Sequence, residues 1–239
     1  MLEVKDMYSF DSRVRYSEVG EDKKLTLNGV INYFQDCSTF QSEELGNGVA
    51  KMEELHRVWV LSSWQIVVER YPSLCEEITV STWPYAFQGF CGYRNFTMTD
   101  REGKLIAYAN TLWSFLDTDT GRPTRVPEEI EKAYVLEEKL EMDYASRKVP
   151  MPKEGEAEEP FTVQKHHLDT NHHVNNGQYI QMAREYIPDD FSIRQMRAEY
   201  KKSALLGDVI YPVVEKDEGR YTVGLCDELG RPYAVVELS

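Results

Sequence analysis

The chain has 239 residues, a formal net charge of −14, and 41% hydrophobic and 12% aromatic side chains. That is apolar enough to bury a core as one large domain or two small ones, and it excludes a disordered chain. The acidic balance argues against nucleic acid or an anionic membrane surface as partners, and any acidic partner needs a local basic patch.

Residues 1–14 are charged and lack the apolar stretch of a secretory leader. No run approaches the ~20 apolar residues of a membrane span. Cys37, Cys75, Cys91 and Cys226 are scattered without a CxxC pair. They read as reduced thiols of a cytoplasmic protein.

Residues 13–18 alternate like a short strand. Residues 25–46 then read as a helix that Thr26 or Asn28 caps, with Val30, Tyr33, Phe34, Cys37 and Phe40 at helical spacing and Gly46 and Gly48 at its end. Between residues 57 and 117 come VWVLSSWQIVVE, EITVSTWPYAF, GYRNFTMTD and KLIAYANTLWSFLD, rich in β-branched and aromatic residues. Turn-like breaks separate them, so they form an antiparallel run and not a βαβ alternation. An acidic stretch at 127–140 reads as helical. The segment PMPKEGEAEEP reads as an exposed connector.

From residue 161 the plan repeats in shorter form: a strand, a His/Asn-rich stretch, a helix ending at Pro188, then SIRQMRAEYKKSA, VIYPVVEKD, RYTVGLCDE and PYAVVEL as strands. The repeat is one of pattern, with negligible identity between halves. The expected architecture is α+β: two units, each an antiparallel sheet wrapped around a helix. The expected boundaries are 1–140, a connector at 141–160, and 161–239.

The second unit opens with HHLDTNHHVNNGQY, residues 166–179. Asp169, Asn171 and His173 alternate, so in an extended segment they share a face. Asn175 and Asn176 lead into a helix whose free N–H groups can hold an oxyanion. The chemistry that fits is water activation by His173, with Asp169 orienting the ring and Asn171 positioning a carbonyl or water. The plain alternative is that Asp169 and Asn171 bond their own backbone in a loop. Zinc fits less well, because neighbouring histidines of a strand face opposite ways and no HExxH is present. No metal or cofactor is expected; GxSxG, P-loop and GxGxxG motifs are absent. Trp59, Trp64, Trp83 and Trp113 fill the sheet core or line an acyl pocket. Arg194, Arg197, Lys201 and Lys202 form either a solvated face or a docking patch for an acidic carrier.

At DTNHHVNNGQY the sequence resembles the acyl-acyl carrier protein thioesterases of plant plastids and bacteria, whose pattern is D-x-N-x-H-V-N-N-x-x-Y. The likeness extends over WVLSSWQIVVERYP, ITVSTWP, RNFTMTDREGKLIAYANTLWSFLDTDTGRPTRVP and AEYKKSALLGD, and so over nearly the whole chain. The resemblance implies a double hotdog, two fused units with the first on the substrate-pocket side. It implies hydrolysis of the thioester between a fatty acyl chain and the phosphopantetheine of acyl carrier protein. It makes Asp169, Asn171 and His173 the catalytic trio, continued by Asn175 and Asn176. In the family's Y-x-x-E element a glutamate helps to activate water; here Ser203 stands in that place, and Glu199 lies roughly 13 Å along the strand. Ser203 is then a holder of water, or a nucleophile with His173 and Asp169. The rival functions are hydrolysis of acyl-CoA and binding of acyl chains without turnover. Monomer and homodimer both remain open, and acyl length is not legible.

Overall fold

The computed structural model describes residues 7–239, so the expectation for the extreme N-terminus falls partly outside the described residues. The chain divides into two units, one of residues up to 61 with 68–144, the other of 62–67 with 145–239. Among the described residues no helix is long and apolar enough to cross a membrane.

The first unit contains β1 (Tyr8–Arg13), α1 (Leu27–Glu44), α2 (Val49–Glu54), part of β2 (Arg57–Val68), β3 (Glu77–Gln88), β4 (Cys91–Asp100), β5 (Leu105–Asp117), β6 (Arg122–Pro123) and α3 (Glu128–Ala133). Its sheet runs β1-β3-β4-β5, all antiparallel, with β6 on β5. Thr26 caps α1 by accepting from the Gly29 N–H at 3.0 Å. Val30, Tyr33, Phe34 and Cys37 are buried as their spacing predicts, while Phe40 is 43% exposed and packs edge-on against Phe10. Pro84 lies past the end of the β1 pairing and at a register shift against β4, where its missing N–H breaks no ladder.

The second unit contains residues 62–67 of β2, then β7 (Glu156–Ala157), β8 (Phe161–Thr162), α4 (Asn176–Arg184), β9 (Gln195–Tyr200), β10 (Val209–Asp217), β11 (Arg220–Cys226) and β12 (Pro232–Leu238). The order is β2-β9-β12-β11-β10-β7, with β8 also on β10. The helix α4 packs on β11 and β12.

The repeat seen as a pattern is a repeat of individual hydrogen bonds. Each unit enters its helix through a 3-10 turn, at Tyr16–Glu18 and Lys165–His167. Gly20 N–H bonds to Lys24 O as Asp169 N–H bonds to His173 O; Leu25 N–H bonds to Pro72 O as Val174 N–H bonds to Ala204 O; Thr26 N–H bonds to Glu18 O as Asn175 N–H bonds to His167 O. Lys23 and His172, at matching places, both have φ 61°. Thr26 and Asn175 both cap their helices, and Leu25 and Val174 are both buried. Gly20, Asp22 and Lys24, however, stand opposite Asp169, Asn171 and His173, so the backbone of this turn does not depend on the side chains at those three places.

Three elements differ from the sequence expectation. The strand at 13–18 is instead β1 followed by a 3-10 turn, because the Glu18 carboxylate accepts from the Arg15 N–H and the Tyr33 hydroxyl and pulls the chain into a turn. The acidic helix ends at Ala133; beyond it the chain runs extended, with Trp83 Nε1 donating to Glu138 O and Asn95 accepting from the Leu140 N–H and the Tyr144 hydroxyl. The segment 141–160 is not a loose connector from Ala145 onward. Arg197 Nη2 donates to Ser146 O and Lys148 O, Glu199 accepts from the Val149 N–H, Gln65 accepts from the Ala145 N–H, and β7 pairs with β10.

Arg197 also donates to Glu237 at 2.9 Å, and their side chains are 14% and 9% exposed. Removing one member of such a pair leaves the other charge buried. Arg197→Ala is therefore expected to cost about 3 kcal/mol in denaturant unfolding; an unchanged midpoint would mean the clasp carries no stability. In the turn after β11, the Lys202 ammonium above all, with the Arg231 and Leu229 N–H groups and the Arg231 guanidinium, holds the Asp227 carboxyl well below the usual carboxylate range. A lowered folded pKa stabilises above the unfolded pKa of about 3.9 and is lost as pH falls through the folded value. The stability gap between parent and Asp227→Asn should be full at neutral pH and shrink below about pH 4. A gap that persists undiminished in acid would assign the effect to something other than this charge.

Candidate active site

The residues 169–173 are a closed turn, not the extended segment expected from their alternation. Asp169 N–H bonds to His173 O at 2.8 Å, His172 N–H to Asp169 O at 3.1 Å, and His172 takes φ 61°. Leu168 and Val174 bridge across the turn, and His173 bridges Leu205 on the far side. The turn is thus pinned to the segment that carries Ser203 and Ala204.

Asp169 takes the role of the plain reading, a carboxylate bonded to its own loop. Its Oδ1 accepts from the Asn171 N–H at 2.8 Å and the His173 N–H at 3.3 Å. It holds the backbone of both neighbours, and no bond from it to the imidazole is seen among the described residues. Asp169 and His173 are half-buried, and Asn171 and Ser203 are exposed. Among the described residues the His173 ring, the Asn171 amide and the Ser203 hydroxyl have no hydrogen-bond partner, so all three are open to a bound molecule. Ser203 and His173 are not joined as a nucleophile and base. Glu199, the nearest acid on β9, is occupied by the Val149 N–H and Lys201.

At the start of α4 the two asparagines part ways. Asn175 is the cap, its Oδ1 accepting from the Gly177 N–H at 2.8 Å and its carbonyl from the Gln178 N–H at 2.9 Å. The Asn176 N–H has no partner among the described residues and remains as an oxyanion donor. Two tyrosines that are not among the expected site residues also reach this region. The Tyr179 hydroxyl accepts from the Ala204 N–H at 2.8 Å, and the Tyr200 hydroxyl donates to Asn176 O at 3.0 Å. Burial pushes both hydroxyls well above the ordinary tyrosine range, which keeps them neutral.

The four cations expected as a docking patch do not act together. Arg197 is the half-buried clasp described above, Lys201 pairs with Glu199, and Lys202 pairs with Asp227 and lies over the Tyr233 ring. Arg194 is exposed at the start of this region. Of the other histidines, His166 and His167 stack edge to face at 4.1 Å, and His167 Nδ1 accepts from the Gln164 N–H.

The descriptions of the acyl-ACP thioesterase N-terminal and C-terminal domains match residues 5–134 and 151–228. The chloroplastic acyl-[acyl-carrier-protein] hydrolase FATB2 of Cuphea viscosissima is 25% identical over 191 residues, covering 74% of this chain and 46% of the relative. The chain thus spans about half the length of that curated relative. An acyl-ACP thioesterase from Bacteroides thetaiotaomicron superposes with a TM-score of 0.89 at 22% identity, covering 97% of this chain and 96% of the other. The 12:0-ACP thioesterase of Umbellularia californica gives 0.87 at 21%, covering 98% and 96%. These likenesses establish the fold as α+β with hotdog units. With both domain descriptions matched in order, the chain belongs to the acyl-ACP thioesterase family.

Proposed function

We propose that the chain is a cytoplasmic hydrolase that cleaves fatty acyl-acyl carrier protein thioesters with an activated water. The observation that carries this reading is the turn at 169–173, which presents an imidazole and a carboxamide beside a helix start with one N–H, all three without a partner among the described residues. The half-buried His173 takes a proton from water, and the Asn171 amide holds that water. The water oxygen bonds to the thioester carbonyl carbon. The developing oxyanion lies against the Asn176 N–H and the positive end of α4. Collapse breaks the C–S bond, and the proton on His173 passes to the leaving sulfur, giving free fatty acid and the carrier's phosphopantetheine thiol. Asp169 serves this through the backbone, by fixing the two residues that meet the water, and through its charge beside a transient imidazolium. Ser203 is a second, neutral ligand for the water. The names of the matched domains and of the relatives support the carrier, and not coenzyme A, as the group that presents the acyl chain.

His173→Ala should lower kcat by about 10²-fold or more, with the thermal midpoint unchanged, because the first unit builds the same turn with lysine in this place. Asp169→Asn keeps an oxygen for the two N–H groups and removes only charge. A similar loss there would assign the charge a role in the rate. Near-parent turnover of an acyl carrier protein thioester by both variants would overturn these roles.

A further inference from the structure

The two units serve as an internal control for each other. Their helix entrances share backbone bonds, so a side-chain feature present in one unit and absent from the other is not demanded by the fold. One such feature stands beside the turn at 169–173. Tyr179, on the fourth residue of α4, reaches the Ala204 N–H; Tyr200, at the end of β9, reaches the carbonyl of Asn176, the first residue of α4. The two rings lie 5.9 Å apart, and Tyr179 is 2% exposed.

The first unit has Val30, Val68 and Pro72 where the second has Tyr179, Tyr200 and Ala204. The match is fixed by shared bonds. Leu25 N–H to Pro72 O answers Val174 N–H to Ala204 O, and the paired bonds of Glu69 and Arg70 N–H to Ile106 O answer those of Lys201 and Lys202 N–H to Tyr233 O. Val30 and Val68 are buried at 0% and 2%. Proline at 72 has no N–H to offer a hydroxyl. The first unit therefore closes its helix entrance without hydroxyls at these two positions and without that donor; its Tyr33, one turn further along α1, bonds Glu18 in the 3-10 turn instead. Only the unit that carries Asp169, Asn171 and His173 ties the start of its helix to the segment after its strand through tyrosine hydroxyls.

We propose that Tyr179 and Tyr200 are positioning residues, a clamp that fixes the segment after β9, which bears Ser203 and Leu205, against the start of α4 and so sets the spacing between His173, the Asn176 N–H and Ser203. One end of the clamp holds the segment after β9 at Ala204, next to the residue that bridges His173. The other holds the carbonyl of the residue whose N–H is the oxyanion donor. Neither hydroxyl touches the reacting atoms. Their effect passes through backbone, where a small displacement of reacting groups costs rate steeply.

The inference rests on the hydrolase reading for its kinetic readout. Tyr179→Phe and Tyr200→Phe delete one oxygen each, and Ala204→Pro copies the first unit by removing the N–H that Tyr179 accepts. For each, kcat on an acyl carrier protein thioester is expected to fall by about tenfold to a hundredfold with KM within about twofold. Thermal midpoints of the two Phe variants should stay within a few degrees of the parent. Tyr179→Phe combined with Ala204→Pro should be no slower than the worse single variant, since both remove one bond. The His173 ring resonances in NMR should shift in Tyr179→Phe although the two side chains are not bonded to each other. Parent-like kcat in both Phe variants, rate losses that multiply in the double variant, or an unmoved His173 resonance would overturn the clamp. Should the parent turn over no thioester, the hydrolase reading fails, and the His173 resonance alone decides the clamp.

Discussion

The turn closed by Asp169 N–H and His173 O, and tied through Val174 N–H to Ala204 O, is the constraint on which the site depends. It brings three stretches into one neighbourhood: the loop, the first residues of α4, and the end of β9. The chain builds this arrangement twice and equips it once. Gly20, Asp22 and Lys24 occupy the turn in the first unit, and Asp169, Asn171 and His173 in the second. Backbone geometry came with the fold, and chemistry is a matter of which side chains stand on it. Function by this account is confined to residues whose identity the backbone leaves free.

The division of labour among polar groups follows from what each can bond. Carboxylates that look available in sequence are mostly engaged in structure: Asp169 with its own loop, Glu199 with Val149, Asp227 with Lys202 and Arg231. The groups that remain open among the described residues are a carboxamide, a hydroxyl and an imidazole. A site so composed can hold and polarise water, with the imidazole as the group suited to accept a proton near neutral pH. The serine at 203 does not bond to His173 among the described residues.

Much of the fold was legible. The runs VIYPVVEKD and PYAVVEL are strands to the residue at their starts, because β-branched side chains and flanking turns mark them. The helix face of α1 and its Thr26 cap followed from spacing. What failed did so for local reasons. A spacing of two is the same for a strand and for a turn reversed by one left-handed residue, and a histidine at positive φ gives no warning. The segment around Pro150 has the composition of a linker, yet its backbone is gripped by Arg197 and Glu199 before that proline and by Glu215 and β10 after it, which sequence distance hides. Three of the four cations of the expected basic patch, Arg197, Lys201 and Lys202, have carboxylates or carbonyls of their own. No pattern in the sequence singles out the hydroxyls of Tyr179 and Tyr200, and only alignment of the two halves by their hydrogen bonds sets them against Val30 and Val68.

The most direct measurement is free-thiol release by the unmodified protein from saturated acyl chains of short to long length, each presented on acyl carrier protein and on coenzyme A. The account predicts turnover, with kcat/KM higher for the carrier-bound form of at least one chain length. Folded protein that releases no thiol from any of them would contradict it, and would leave the open imidazole and amide of the second unit as parts of a site that binds acyl chains without cleaving them.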